Sequence, residues 1–331
     1  MMSGPLVSLC VPTYNRAKFL AGSLRSLVAQ TYDDLEIVVV DNCSDSDTAR
    51  VVWSFKDPRV SYYRNETNLG SRRNWNRCLE LAKGRYIAIC HDDDLYDPQY
   101  VRLTVEMLRS NPSVGFVHTA VHVIDETGRW IRTYRAYPTD QLIPGREVFL
   151  QFLTQTHNVV FATVLARREA YAAAGPFEPQ YLCADFEMWL RMSLLFDVAY
   201  LSTPLVSYRI HHASISLTIE PSRWYQENRE IVERAIDLGC ARIPGLADRR
   251  TEIVRKIRGV WARRTLVEAL FSASCGSLAV ARRYQAVARE LAVSPSERFL
   301  ASSVSGLLTR PGGWLLRALR ELRGMTRRLA R

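Results

Sequence analysis

Cysteine is sparse and unpatterned in this chain of 331 residues. The seven cysteines (Cys10, Cys43, Cys78, Cys90, Cys183, Cys240, Cys275) are odd in number and never spaced C-x-x-C. That argues against a disulfide framework and a thiolate zinc site and leaves them as small core or helix residues. No apolar run approaches the roughly 20 residues that span a bilayer. Residues 1–14 also lack the basic start and long apolar centre of a signal peptide. The expected location is therefore the cytoplasm, free or peripheral on the inner face of the membrane. No G-x-G-x-x-G follows the first strand-like run and no G-x-x-x-x-G-K-[ST] occurs anywhere, so neither a dinucleotide fingerprint nor a P-loop is supported.

Acidic excess is also missing, and its distribution is informative. The chain carries 44 Lys+Arg against 34 Asp+Glu, and residues 220–331 alone hold 22 against 11. The whole basic surplus thus belongs to the last third, which suggests a catalytic body with a basic attachment surface. With 47% hydrophobic residues, the rest has ample material for a globular core.

What is present is organised around 86–97. The apolar run Tyr86-Ile87-Ala88-Ile89-Cys90 ends in His91-Asp92-Asp93-Asp94, and Pro98 stands where a helix would begin. Three adjacent carboxylates repel one another, so at a buried strand tip they need a cation or hydrogen-bond donors. A Mg2+ or Mn2+ ion shared with a diphosphate would supply that; a solvated acidic loop capping the next helix is the other reading. Upstream, strands at 6–11, 35–40 and 59–64 alternate with helices through 19–28, 47–55 and 74–83, with Gly84 as the last helix stop. Four such alternations predict an α/β fold with a doubly wound, mostly parallel sheet whose site lies beyond the strand carboxyl ends. Three of those ends carry polar residues: Tyr14-Asn15-Arg16, Asp41-Asn42 and His91–Asp94. Farther on, a strand from 114, a hairpin turning at 125–128, a loop over 134–146, a strand at 159–166, a helix at 168–174 and a helix from Asp185 are expected.

Val11-Pro12-Thr13-Tyr14-Asn15-Arg16, Val39-Val40-Asp41-Asn42, Asn68-Leu69-Gly70 with Arg73-Asn74, His91–Asp94, Gly175-Pro176-Phe177, Asp185-Phe186-Glu187 and Arg209-Ile210-His211 occur in an order and spacing that resembles glycosyltransferase family 2. The resemblance covers residues 6 to about 216 and implies the GT-A fold and an inverting, metal-dependent transfer from a nucleoside-diphosphate sugar. It implies that Tyr14 stacks on the base, that Pro12 and Asn15 shape its pocket, and that Asp41 and Asn42 lie beside the nucleoside. It further implies that Arg73 approaches the phosphates, Asp92 the ribose, Asp93 the metal, Asp94 the metal or sugar, and His211 the metal and diphosphate. Asp185 takes the position of the catalytic base, with Glu187 in reserve. Two departures stand out: Asn42 where many members have a second aspartate, which leaves uracil or thymine open, and His91 in place of the first acid of D-x-D-D, read as structural rather than as a ligand. Read alone, Asp185 is also a good helix N-cap, and Arg73 an exposed helix charge.

The expected organisation is a GT-A domain over 1–219, with a donor half 1–98 and an acceptor half 99–219, followed by a basic helical region over 220–331. In 310–331, Leu315, Leu319, Leu322 and Met325 fall on one helical face and Arg317, Arg320, Arg327 and Arg331 on the other. Such a helix suits an anionic membrane surface, or packs on its own domain. The acceptor is expected to be a sugar or lipid-linked, the latter favouring a membrane location, whereas no recognised nucleic-acid motif accompanies the charge. A nucleotidyltransferase or nucleotide-sugar hydrolase on a similar sheet, and a non-catalytic membrane scaffold, are the competing readings.

Overall fold

The structure, a computed structural model, describes residues 6–45, 47–154, 159–211, 221–274 and 278–308. They fall into two compact units, one within 1–217 and one within 218–331 together with 153–156.

In the first unit, Val7–Thr13 (β1) and Leu35–Asp41 (β2) are buried on both faces, as strands covered by helices must be. They pair in parallel, with Val7 opposite Leu35 and Thr13 opposite Asp41. Val60–Arg64 (β3) extends β2 outward, and Tyr86–Ile89 (β4) joins the other side of β1, both in parallel. The crossovers are the helices Ala17–Val28 (α1), Thr48–Trp53 (α2) and Ser71–Leu81 (α3). Leu20, Leu24 and Leu27 of α1 are fully buried, the i, i+4, i+7 stripe of an amphipathic helix.

Beyond β4 the sheet is mixed. Its order continues through Leu165–Arg167 (β9), Val114–Ile124 (β6), Asp197–Arg209 (β10) and Leu95–Tyr96 (β5). Because β9 runs antiparallel to both β4 and β6, and β10 parallel to β6, the strands β1, β2, β4, β6 and β10 share one direction. Their carboxyl ends line one edge of the sheet. Trp130–Tyr134 (β7) forms a hairpin with β6, and Gln141–Ile143 (β8) pairs with β10. Helices Tyr100–Ser110 (α4), Gly145–Thr154 (α5, through residue 152), Arg168–Ala174 (α6) and Ala184–Ser193 (α7) complete this unit.

Several local expectations are corrected. The stretch 134–146 is not a plain loop, since it contains β8 and the start of α5; β8 gains its ladder from β10, a tertiary partner invisible to local periodicity. Residues 159–166 are not one strand. A 3-10 turn at Phe161–Thr163 precedes β9, and it sets the Phe161 ring against Trp75, Phe177 and Trp189 at centroid distances of 4.8, 5.6 and 5.7 Å. Helix α3 starts at Ser71 after Gly70, whose φ of 79° suits glycine. Gly84 does not stop it, because Ala82 is already extended. A Cβ at Gly84 would lie 2.5 Å from the Ser8 backbone nitrogen and 2.7 Å from the Val7 carbonyl carbon, so glycine is required there by close approach to β1. Pro98 is not the first helical residue either. Its carbonyl accepts from Thr31 N at 2.9 Å, and α4 begins two residues later.

The second unit is helical: Pro221–Cys240 (α8), Arg250–Ser274 (α9), Leu278–Leu291 (α10) and Pro295–Leu308 (α11). Leu266, Leu270, Ala281, Ala288 and Ala301 form a core cluster in which small alanines let the helices approach. Helix α11 opens with a capping box: Ser294 Oγ accepts from Glu297 N, and Glu297 Oε2 accepts from Ser294 N, both at 3.1 Å. Among the described residues no helix is long and apolar enough to cross a membrane. The expectations for 310–331 and His212 lie outside the described residues.

Candidate active site

The shared strand direction delivers every polar terminus anticipated from sequence to one edge of the sheet. After β1 the chain turns through Asn15, a non-glycine residue at φ 55°, and after β2 through Cys43 at φ 68°. Such backbone conformations persist where neighbours over-determine them. Here Asn15 N donates to Ser44 Oγ at 2.9 Å, and Asn15 Oδ1 accepts from Asp45 N at 2.8 Å, stitching the two turns together. Pro12 is half-buried at the end of β1, and Tyr14 projects from the turn, 43% exposed.

Asp41 and Asn42 are buried and already engaged. Asp41 Oδ1 accepts from Ser44 N and Oγ, and its Oδ2 accepts from Tyr62 OH at 2.6 Å. Asn42 Nδ2 donates to Asn68 Oδ1 at 2.7 Å, while its own Oδ1 accepts from Asn65 Nδ2 and Leu69 N. Asn65 in turn donates to Asn74 Oδ1, and Asn74 Nδ2 to the Val40 carbonyl. This chain of four asparagines fixes the Asn68-Leu69-Gly70 turn. Asn65 was not singled out from sequence, because its partners lie on other elements. Arg73, exposed in the first turn of α3, lines a cleft of about 460 Å3 with Arg72, Pro179 and Gln180.

The centre of the edge is the acidic turn after β4. Asp93 forms an ion pair with Arg16 and accepts from His211 Nε2 at 2.9 Å; Asp92 stands 3.9 Å from the same guanidinium. Asp94 Oδ1 accepts from Arg209 N at 2.7 Å, and Arg209 Nε donates to the Asp93 carbonyl at 2.7 Å. Arg209 at the end of β10 therefore fastens the Asp94 carboxylate and the Asp93 backbone carbonyl. His211 stacks on Phe19 of α1 at 4.9 Å.

Electrostatics follow from burial and crowding. Burial, then the charge of Asp93, pushes the Asp92 carboxyl up to about 7 against the pull of Arg16. Burial likewise raises Asp94. Asp93 is lowered: burial opposes ionisation, yet His91, His211 and Arg16 outweigh it. For His91 burial works against the charge, but the Asp94 carboxylate, with Asp93 and Asp92, lifts the imidazole to about 9.

His91, Asp93 and Asp94 each offer a ligand atom within 4.8 Å of one another. Asp94 Oδ2 is buried and accepts no hydrogen bond among the described residues, its charged neighbour being His91 Nδ1 at 3.4 Å. An orphaned buried carboxylate oxygen beside two further ligand atoms fits a divalent cation, with oxygen and nitrogen donors of the kind Mn2+ and Mg2+ accept. His91 thus stands within the metal-capable cluster rather than outside it. The signal that could have found it was its own position, two residues before Asp93 in the acidic motif. Arg16 and Arg209 belong to the site as well, through contacts that local sequence pattern does not encode.

Asp185 opens α7, half-buried and without a hydrogen bond or ion pair among the described residues. Glu187 has the opposite surroundings: it is 3% exposed and takes a forked pair from Arg191, with Nε and Nη2 to its oxygens at 2.6–2.9 Å. Arg191 also donates to the Ala174 and Pro176 carbonyls, so Glu187 orders the turn after α6 and is not a free base. Phe161 links α7 to the acidic turn, its ring lying 5.7 Å from Trp189 and 5.3 Å from His91.

Residues 8–174 match the profile of Glycosyl transferase family 2. The chain is 36% identical over 247 residues to the putative colanic acid biosynthesis glycosyl transferase WcaA of Escherichia coli K12, covering 71% of this chain and 85% of the relative. It is 30% identical over 240 residues to the uncharacterized protein MT1568 of Mycobacterium tuberculosis, covering 70% and 73%. Among solved structures, S. aureus TarS 1-349 in complex with UDP-GlcNAc superposes with a TM-score of 0.64 at 16% identity, over 97% of this chain and 92% of that one. The mannosyltransferase PcManGT from Pyrobaculum calidifontis, in complex with GDP-Man and Mn2+, gives 0.52 over 93% and 82%. These likenesses show the fold, which is GT-A with a C-terminal helical region. With the strand-end geometry and the family match in agreement, the chain belongs to glycosyl transferase family 2 and is a glycosyltransferase.

Proposed function

We propose that this enzyme is an inverting, divalent-metal-dependent transferase that moves a sugar from a nucleoside-diphosphate donor, a UDP- or dTDP-sugar, to an acceptor hydroxyl in bacterial surface polysaccharide or glycolipid synthesis. The observation that carries the reading is the cluster of His91, Asp93 and Asp94, in which the buried Asp94 Oδ2 accepts no hydrogen bond among the described residues. The nucleotide-sugar complexes of TarS and PcManGT, and the pathway named for WcaA, support the substrate class.

In this reading residues 1–98 hold the donor, 99–219 the acceptor, and 220–331 form an attached helical region. Tyr14 stacks on the base, with Pro12 and Asn15 beside it. Asp41 and Asn42, locked in their own networks, act as the rigid wall of the nucleoside pocket. Asp92 meets the ribose and Arg73 the phosphates. His91, Asp93 and Asp94 would hold Mn2+ or Mg2+, with His211 beside them; when bound, the ion supplies Lewis-acid stabilisation of the departing diphosphate. Asp185 accepts the proton of the acceptor hydroxyl as its oxygen attacks the anomeric carbon, and a single displacement inverts that centre. A half-buried carboxylate in the first turn of α7, with no hydrogen bond or ion pair among the described residues, is available for this task.

Calorimetry of UDP, dTDP and GDP with and without Mn2+, on wild type, Asp93→Ala and Asp93→Asn, tests the donor site. The expected result is metal-dependent binding of one nucleotide that both variants lose while remaining folded by circular dichroism. Absence of binding by folded wild type to all three would overturn the assignment.

A further inference from the structure

The β6–β7 hairpin is the feature that the reading of the site leaves unused. Residues 127–132 are exposed throughout, and they include Trp130 at 60% and Ile131 at 48% exposure. β7 pairs only with β6 among the described residues, so its other side is an open edge. Arg129 and Arg132 flank the two apolar residues with no ion pair among the described residues, Arg135 follows, and no acidic residue occurs from 127 to 139. Arginines alone would serve to guard an open edge against pairing. An exposed Trp-Ile pair defeats that purpose unless something covers it.

The hairpin is held in a fixed place. Arg209 Nη1 donates to the Asp125 and Glu126 carbonyls at 3.2 and 3.0 Å, while its Nε donates to the Asp93 carbonyl. Lys18 at the start of α1 pairs with Glu126 at 2.8 Å. One guanidinium thus separates the backbone of the turn from the backbone of the acidic cluster.

We propose that this hairpin docks the enzyme on an anionic lipid bilayer, Trp130 and Ile131 entering the interfacial region and Arg129, Arg132 and Arg135 meeting lipid phosphates. Two features of the hairpin favour this occupant. A bare tryptophan next to an aliphatic residue has the amphipathic character that settles at the membrane–water interface, and Arg129, Arg132 and Arg135 outnumber the carboxylates of the turn, Asp125 and Glu126, the latter paired with Lys18, which complements an anionic leaflet. The patch is independent of residues 310–331. Docking there would hold the carboxyl edge of the sheet near the lipid surface, where a lipid-linked acceptor hydroxyl would be presented; only that use rests on the proposed function.

The test is sedimentation of the full chain with vesicles of phosphatidylcholine alone and of phosphatidylcholine mixed with phosphatidylglycerol. The variants are Trp130→Ser/Ile131→Ser, Arg129→Gln/Arg132→Gln and, for comparison, Arg317→Gln/Arg320→Gln, with nucleotide binding in the presence of Mn2+ measured on each preparation. The expected result is binding to the mixed vesicles that falls about tenfold or more in both hairpin variants, with nucleotide binding retained. Wild type that ignores the mixed vesicles, or hairpin variants that bind them as wild type does, overturns the proposal. Loss confined to the Arg317/Arg320 variant would also overturn it, by assigning attachment to the tail. Vesicle binding without nucleotide binding in wild type would sink the donor-site reading and leave this one intact.

Discussion

Asp185 and Glu187 sit two residues apart on α7, and their surroundings predict opposite consequences for the same chemical change. Asp185→Asn removes a half-buried carboxylate that has no partner to orphan among the described residues. Its stability effect is limited to the helix-terminus charge, about 0.3–1 kcal/mol, so the melting temperature should move by only ~1–4 °C. If Asp185 is the base, turnover falls about 10²–10⁴-fold, equivalent to roughly 3–5 kcal/mol of transition-state stabilisation at 1.36 kcal/mol per decade. Glu187→Gln instead removes the charge paired with Arg191, whose side chain is 13% exposed against 4% for Glu187. Truncating one partner of a buried pair costs on the order of 3–5 kcal/mol, and the lower end applies because the Gln carbonyl still accepts one bond. The assay is release of nucleoside diphosphate from the donor that calorimetry selects, with water as acceptor, alongside urea denaturation. Asp185→Asn that keeps turnover within a few fold of wild type, or Glu187→Gln that abolishes turnover at unchanged stability, would refute the assignment of roles.

Three further outcomes follow from particular contacts. Gly84→Ala should destabilise the protein by about 1–3 kcal/mol, read from urea midpoints, since its Cβ would meet backbone atoms of β1 rather than a movable side chain. Asn42→Asp should cost about 1–3 kcal/mol: the new carboxylate faces Asn68 Oδ1, and Asn68 cannot flip its amide without losing the bond that Oδ1 accepts from Gly70 N at 2.9 Å. Unchanged stability by the same urea assay would mean the asparagine chain rearranges freely. Glu297 lies below the usual glutamate range. Burial opposes its ionisation, but the amides of Ser294 and Val293 and the charge of Arg263 prevail. A depressed carboxyl stabilises the fold above its unfolded value of about 4.5 and loses that contribution as pH falls through its folded value; thermal melts across acid pH should show a drop that Glu297→Gln flattens.

The sequence by itself determined the alternation of strands and helices through β4, because period-2 and period-3.6 patterns and their punctuating residues are local. It also determined the helical character of 221–308, where apolar stripes at helical spacing recur between Gly, Pro and Ser. The positions of Asp41, Asp92, Asp93, Asp94 and Asp185 at strand or helix ends were legible for the same reason. Tertiary structure decided what local pattern does not encode. β8 becomes a strand only because β10 offers an edge, and Phe161 is drawn into a 3-10 turn by the aromatic rings it packs against. Gly84 was visible as a helix breaker but is needed for contact with a strand 76 residues away in sequence. Most of all, the separate fates of similar residues were tertiary. Glu187 stands in reserve to Asp185 in the sequence, and only the reach of Arg191 ties it up; His91 joins the metal-capable cluster because the turn folds its imidazole toward Asp94. Charge and hydrogen-bond partners are set by distances in space, and those distances exist only once the sheet is assembled.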